Sequence, residues 1–107
     1  MGMKQYEVYI VNLDPTIGSE IKKTRPCLIV SPNEMNASLR TVQIAPLTTT
    51  MRKYPWRVAL KLKGTEGMVA LDQLRTVDKA RLVRKTGEAT PSVVVRVKAA
   101  IREMLVE

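Results

Sequence analysis

The sequence predicts a small, mainly β domain, strongly bent into a barrel or sandwich and closed by a C-terminal helix. Three observations carry this expectation. Short runs rich in β-branched and aromatic residues recur between Pro and Gly breaks. After Thr90-Pro91 the pattern changes from alternation to helical spacing. The 107 residues suffice for one domain, residues 1–107, that buries roughly two-thirds of its unfolded surface.

The elements follow in order. Tyr6-Glu7-Val8-Tyr9-Ile10-Val11-Asn12-Leu13 reads as a strand ended by Asp14-Pro15. Thr16 to Arg25 is a long polar connection, a kind of loop that often carries function. Cys27 to Ser31 is a short apolar run, read as a buried strand, and Asn33 to Ala37 as a helical turn. Thr41 to Leu47 puts Val42 and Ile44 on one face, with Pro46 closing the strand. Thr48 to Pro55 is a second polar loop. Trp56 to Lys63 alternates with Trp56, Val58, Leu60 and Leu62 on one face, so Trp56 is assigned to the core. Gly64 breaks that strand, and Gly67 to Leu71 forms another. Asp78 is positioned to cap a turn through Lys79 to Leu82. The final helix has Thr90 as N-cap and Pro91 at its first position, with Val94, Val97, Ile101, Met104 and Leu105 as its apolar stripe.

Composition narrows the function. Eighteen Lys and Arg against ten Asp and Glu give a net charge of +8, which points to an anionic partner such as nucleic acid. Histidine is absent, so any acid–base chemistry proceeds without imidazole, and with one Cys and no His a zinc site is not expected. The single cysteine, Cys27, sits in an apolar run, behaves as a small hydrophobe and fits a reducing cytoplasm. No apolar run approaches the roughly 18 residues of a membrane span, and no signal-peptide pattern opens the chain.

Six blocks then occur in order: Asn12-Leu13-Asp14-Pro15-Thr16, Gly18-Ser19-Glu20, Thr24-Arg25-Pro26, Ala45-Pro46-Leu47-Thr48-Thr49, Tyr54-Pro55, and Asp72 through Leu82 beginning Asp72-Gln73-Leu74-Arg75-Thr76-Val77. With these blocks the chain resembles the MazF/PemK toxins of bacterial toxin–antitoxin systems over nearly its whole length. The resemblance implies an SH3-like (MazF/PemK/CcdB-type) twisted β-barrel with a C-terminal helix, and a homodimer with grooves at the interface. It implies metal-independent, sequence-specific cleavage of single-stranded RNA, with no cofactor, leaving 2′,3′-cyclic phosphate and 5′-hydroxyl ends. The implied partner, besides RNA, is a cognate antitoxin with an acidic disordered tail.

Cleavage by the RNA's own 2′-hydroxyl needs a proton acceptor, a stabiliser of charge on phosphorus, and a proton donor to the leaving oxygen. The resemblance assigns catalysis to Arg25 and Thr48. A guanidinium suits the second task and not the first, because it stays charged. The Thr48 hydroxyl can donate to a phosphoryl oxygen, or it can simply bond its own backbone at a strand end; Thr49 is its neighbouring alternative. Glu20 and Asp72 are the candidate proton acceptors. Glu20 is otherwise a solvated loop charge, and Asp72 a structural partner of Arg75 or of a backbone donor. Lys22, Lys23, Arg52 and Lys53 are expected to bind RNA phosphates, with Ser19, Thr49, Tyr54 and Gln73 completing the RNA-binding set. Some family members carry His where this chain has Ser19 and Arg where it has Ala70. Two rival readings stand beside this one. A gyrase-binding toxin of the same fold would rely on a tryptophan near the C-terminus, whereas the only one here is Trp56. A non-catalytic nucleic-acid-binding module would explain the charge but not the Arg25, Thr48 and Asp72 blocks together.

Overall fold

The computed structural model describes residues 2–13 and 24–106. Seven strands and two helices follow one another: β1 (Glu7–Asn12), β2 (Thr24–Ile29), α1 (Asn33–Ser38), β3 (Thr41–Thr48), β4 (Arg57–Leu62), β5 (Thr65–Ala70), β6 (Arg75–Asp78), β7 (Leu82–Glu88) and α2 (Pro91–Leu105). Single 3-10 turns at Leu71–Gln73 and Lys79–Arg81 flank β6. The strands form one curled antiparallel sheet in the order β4-β5-β3-β2-β1-β7, and β6 pairs with β3 off that path.

Alternation along β1, β2 and β3 explains the packing, because successive side chains point to opposite faces. Val8, Leu28, Ala45 and Leu47 face one way and join Val58, Leu60, Val69 and Leu71 under α2. Val11, Cys27, Ile29, Val42 and Ile44 face the other way and join Val77 of β6. The same strands thus carry apolar layers on both faces. The curl is drawn tight where the edge strands meet: a Cβ added at Gly87 of β7 would lie 2.6 Å from Leu62 Cδ1 of β4.

Local chemistry sets the element ends. Lys63 and Gly64 both have positive φ, 51° and 82°, the backbone of the tight turn that joins β4 to β5. Asp78 Oδ1 accepts from the Ala80 N–H at 2.8 Å, the expected cap. Thr90 Oγ1 accepts from the Val93 N–H with Pro91 at the first helical position, also as expected.

Several expectations are corrected. Pro46 does not close β3, which runs on to Thr48. β2 begins at Thr24, so Arg25 lies inside a strand rather than at a loop end. Trp56 precedes β4, is exposed, and stacks on Tyr54 with ring centroids 5.0 Å apart, so it is not core. The helix stripe is rotated: Val93, Val97 and Ala100 are buried, while Met104 and Leu105 are exposed. β7 is a strand that no sequence pattern indicated.

Candidate active site

β3 changes partners along its length, and the site lies at that change. Its first half pairs with β6, from Thr41↔Asp78 to Ile44↔Arg75, and its middle pairs with β2 through Ile44↔Ile29, Ala45↔Leu28 and Pro46↔Cys27. Its last residues pair with β5 through Leu47↔Val69 and Thr48↔Met68. The β2–β3 pairing stops at Pro46, which has no N–H to donate. Beyond it the strands part like the arms of a fork. Between the arms lies a cavity of about 440 Å³, lined by Thr24, Arg25, Pro26, Leu47, Thr48 and Thr49 and by the β4–β5 hairpin.

Arg25, two residues before Cys27 on β2, and Thr48, two residues past Pro46 on β3, stand one on each arm, and both line the cavity. By alternation both belong to the Cys27–Ile44 face. Thr48 Oγ1 accepts from the Thr50 N–H at 3.1 Å. The local backbone bond expected of a strand-end threonine is therefore made, and it engages an oxygen lone pair. The hydroxyl proton stays available for donation outward. Gly67 of β5 lies against the same residue: a Cβ there would sit 3.0 Å from the Thr48 carbonyl oxygen. Arg25 forms no ion pair with a described residue. Cys27, two residues along, is fully buried, and burial pushes its thiol up to about 12, against the opposing pull of Arg25 and Arg75. A thiol this far from ionisation is no nucleophile at neutral pH.

Asp72 lies elsewhere. Its carboxylate takes the Arg57 guanidinium in a two-pronged contact, Nε to Oδ1 at 2.7 Å and Nη2 to Oδ2 at 3.1 Å. The Arg57 hydrogen bonds hold the Asp72 carboxyl below the usual carboxylate range, although partial desolvation opposes them. Its partner is thus Arg57 and not Arg75, and it does not line the fork cavity.

The other candidates are distributed along the loop that leaves Thr48. Thr49 lines the cavity. Arg52 is tied to the outer side of β5 by its N–H on Met68 Sδ at 3.2 Å. Lys53 is exposed, and Tyr54 carries the ring stacked on Trp56. Gln73 is exposed in the 3-10 turn before β6. Ser19, Glu20, Lys22 and Lys23 lie outside the described residues. Among the described residues, no group of three or more His, Cys, Asp or Glu side chains could hold a metal ion. Among the described residues, no helix is long and apolar enough to cross a membrane.

Sequence reasoning missed the hairpin's share of the cavity: Lys63, Thr65, Glu66 and Gly67. The Lys63-Gly64 pair was a legible turn signal, but nothing local indicates that its tip folds back beside Arg25.

Comparison with known proteins bears on what this fork does. Residues 4–105 match the family model described as PemK-like, MazF-like toxin of type II toxin–antitoxin system. Endoribonuclease PemK of Escherichia coli is 41% identical over 85 residues, covering 74% of this chain and 64% of that protein's length. Endoribonuclease toxin MazF of Escherichia coli K12 is 31% identical over 96 residues, covering 89% of this chain and 86% of the relative. Among solved structures, a mycobacterial endoribonuclease in complex with its cognate antitoxin superposes with a TM-score of 0.83 at 30% identity, covering 96% of this chain and 94% of that one. MazF from Deinococcus radiodurans gives 0.81 at 27% identity, covering 100% and 99%. The curled sheet with its C-terminal helix is the fold of these structures.

Proposed function

We propose, from the premise that this chain belongs to the PemK-like, MazF-like toxins of type II toxin–antitoxin systems, that it is an endoribonuclease that cleaves single-stranded RNA at the fork between β2 and β3. Its curated relatives carry the name endoribonuclease. The observation that supports the assignment of the site is the open cavity that Arg25 of β2 and Thr48 of β3 both line.

In this reading the RNA's 2′-hydroxyl attacks its own 3′-phosphate, and the 5′ oxygen of the next nucleotide leaves. The products are a 2′,3′-cyclic phosphate and a 5′-hydroxyl, the leaving oxygen takes its proton from solvent water, and no metal takes part. Arg25, with no internal partner among the described residues, offers its guanidinium to the non-bridging oxygens as charge builds on phosphorus. Thr48, its oxygen steadied by the Thr50 N–H, donates a hydrogen bond to the same phosphoryl group. Asp72, bound to Arg57, braces the turn that carries Gln73 instead of moving protons. That leaves Glu20 as the proton acceptor.

The mycobacterial relative was solved with its cognate antitoxin, and a net charge of +8 favours an acidic partner here too. We assign the antitoxin's acidic disordered tail to the same RNA groove, in a homodimer.

The test is incubation of the pure protein with a long single-stranded RNA in excess chelator, followed by end mapping. Discrete cuts with 5′-hydroxyl ends are expected. Uncut RNA overturns the ribonuclease. An acidic antitoxin-tail peptide should compete with RNA, and failure to compete removes the shared groove while leaving the nuclease intact.

A further inference from the structure

A second arginine shares the Arg25 face. β3's Ile44 is flanked on one side by Ile29 of β2 and on the other by Arg75 of β6. Leu74, just before β6, packs into the core beneath α2, and Val77 of β6 into the layer on the opposite face. Arg75 is in phase with Val77, so it lies on the face that carries Cys27, Ile44, Arg25 and Thr48. The Cys27 thiol on this face feels the positive charge of both Arg25 and Arg75.

Nothing inside the described chain uses Arg75. It is exposed, and the carboxylate three residues before it is taken by Arg57. No described residue forms an ion pair with it. A guanidinium with no ion-pair partner among the described residues, on the same sheet face as Arg25 and the Thr48 hydroxyl, suits a chain with a repeating negative charge.

We propose that Arg75 is a phosphate-binding residue of this site, holding an RNA phosphate adjacent to the scissile one while Arg25 acts on the scissile phosphate. This rests on the ribonuclease reading above. It divides the labour between the two arginines: Arg25 stabilises charge that develops during reaction, and Arg75 holds charge already present in the bound strand. Arg75 therefore lowers KM and leaves kcat nearly untouched.

The experiment compares wild type, Arg75→Gln and Arg75→Lys in two assays. One is steady-state cleavage of a short labelled RNA. The other is equilibrium binding of the same oligonucleotide with 2′-deoxy sugar at the cut site, which removes the nucleophile, across a range of salt. Arg75→Gln should raise KM and Kd about 10-fold, the scale of a charged hydrogen bond, with kcat within about threefold. Its log–log salt slope should be shallower by about 0.7, one phosphate contact on a single strand. Arg75→Lys should restore the slope and only part of the affinity, since an ammonium lacks the two-pronged fork. Arg84→Gln, on the exposed edge strand β7, should change nothing beyond its small share of net charge.

An unchanged slope and Kd in Arg75→Gln overturns the proposal. So does a fall in kcat at constant KM, which would make Arg75 a transition-state group. If Arg75→Gln melts far below wild type, Arg75→Lys decides: a lost salt slope despite retained charge overturns the proposal. If wild type binds RNA but never cuts it, the ribonuclease reading falls while the binding arm still judges Arg75.

Discussion

Arg25 and Arg57 stand in the same curled sheet and have opposite obligations. Arg57 forks onto Asp72 through two short hydrogen bonds, and its side chain is only 12% exposed. Arg25 lines a cavity together with Thr48 and has no described anion. A guanidinium has one planar fork, and a fork occupied by a carboxylate cannot also clamp a phosphate. The difference separates an arginine that holds the fold together from one left for a ligand. Arg25 lies inside a motif block and Arg57 two residues past one, so residue type alone does not tell them apart, and motif membership does not say what either one binds. Three substitutions test this contrast.

The largest effect is expected at the fork itself. Arg25→Ala should lower kcat on the order of 10²-fold or more, as when a donor to a developing oxyanion is removed. The melting temperature should stay near wild type, because the guanidinium has no ion pair with a described residue to lose. A variant that cuts at a normal rate would erase the distinction between the two arginines.

Gly67→Ala is expected next. The added Cβ would sit 3.0 Å from the Thr48 carbonyl oxygen, so the backbone that carries the hydroxyl must shift by a few tenths of an ångström. A shift of that size should cost roughly 10-fold in kcat with KM little changed, since small misplacements of a catalytic group are expensive. Kinetics with the expected fold-change in KM instead would mean that Gly67 shapes the binding of the strand and not the placement of Thr48.

The contrast also explains what could be read from the sequence. The motif order led to the family and to Arg25 and Thr48, and cap chemistry at Asp78 and Thr90 needs only neighbouring residues. Trp56 was misread because alternation gives a face but not the point where a strand starts; the Arg57 N–H bonds back to the Tyr54 carbonyl and ends the turn just after the ring. The helix stripe was misread because Val93, Val94 and Val95 are chemically equal, and only the docked sheet decides which is buried. β7 is an edge strand with the polar sequence Leu-Val-Arg-Lys-Thr-Gly-Glu, which carries no period-2 signal. The fork and the Arg57–Asp72 contact, 15 positions apart, depend on long-range pairing that no local pattern encodes.

The smallest effect on cleavage is expected at Asp72, and it discriminates most sharply between roles. As the partner of Arg57, Asp72→Asn should destabilise the fold by about 1 kcal/mol, because the carboxylate is 34% exposed and the pair is partly screened. Its cleavage rate should stay within about threefold, with the pH–rate profile unmoved. The pH dependence of stability has a definite sign. Hydrogen bonding to Arg57 lowers the folded carboxyl below its unfolded value, so the folded chain binds fewer protons between the two. The stabilisation is full above the ordinary aspartate range near 4 and fades as pH falls through the folded value. The gap in melting temperature between wild type and Asp72→Asn should therefore be widest near neutral pH and close on acidification. A rate loss on the order of 10²-fold with a displaced acidic limb would instead make Asp72 the proton acceptor. Arg57 would then be the group that tunes it, and the contrast between the two arginines would become cooperation within one active site.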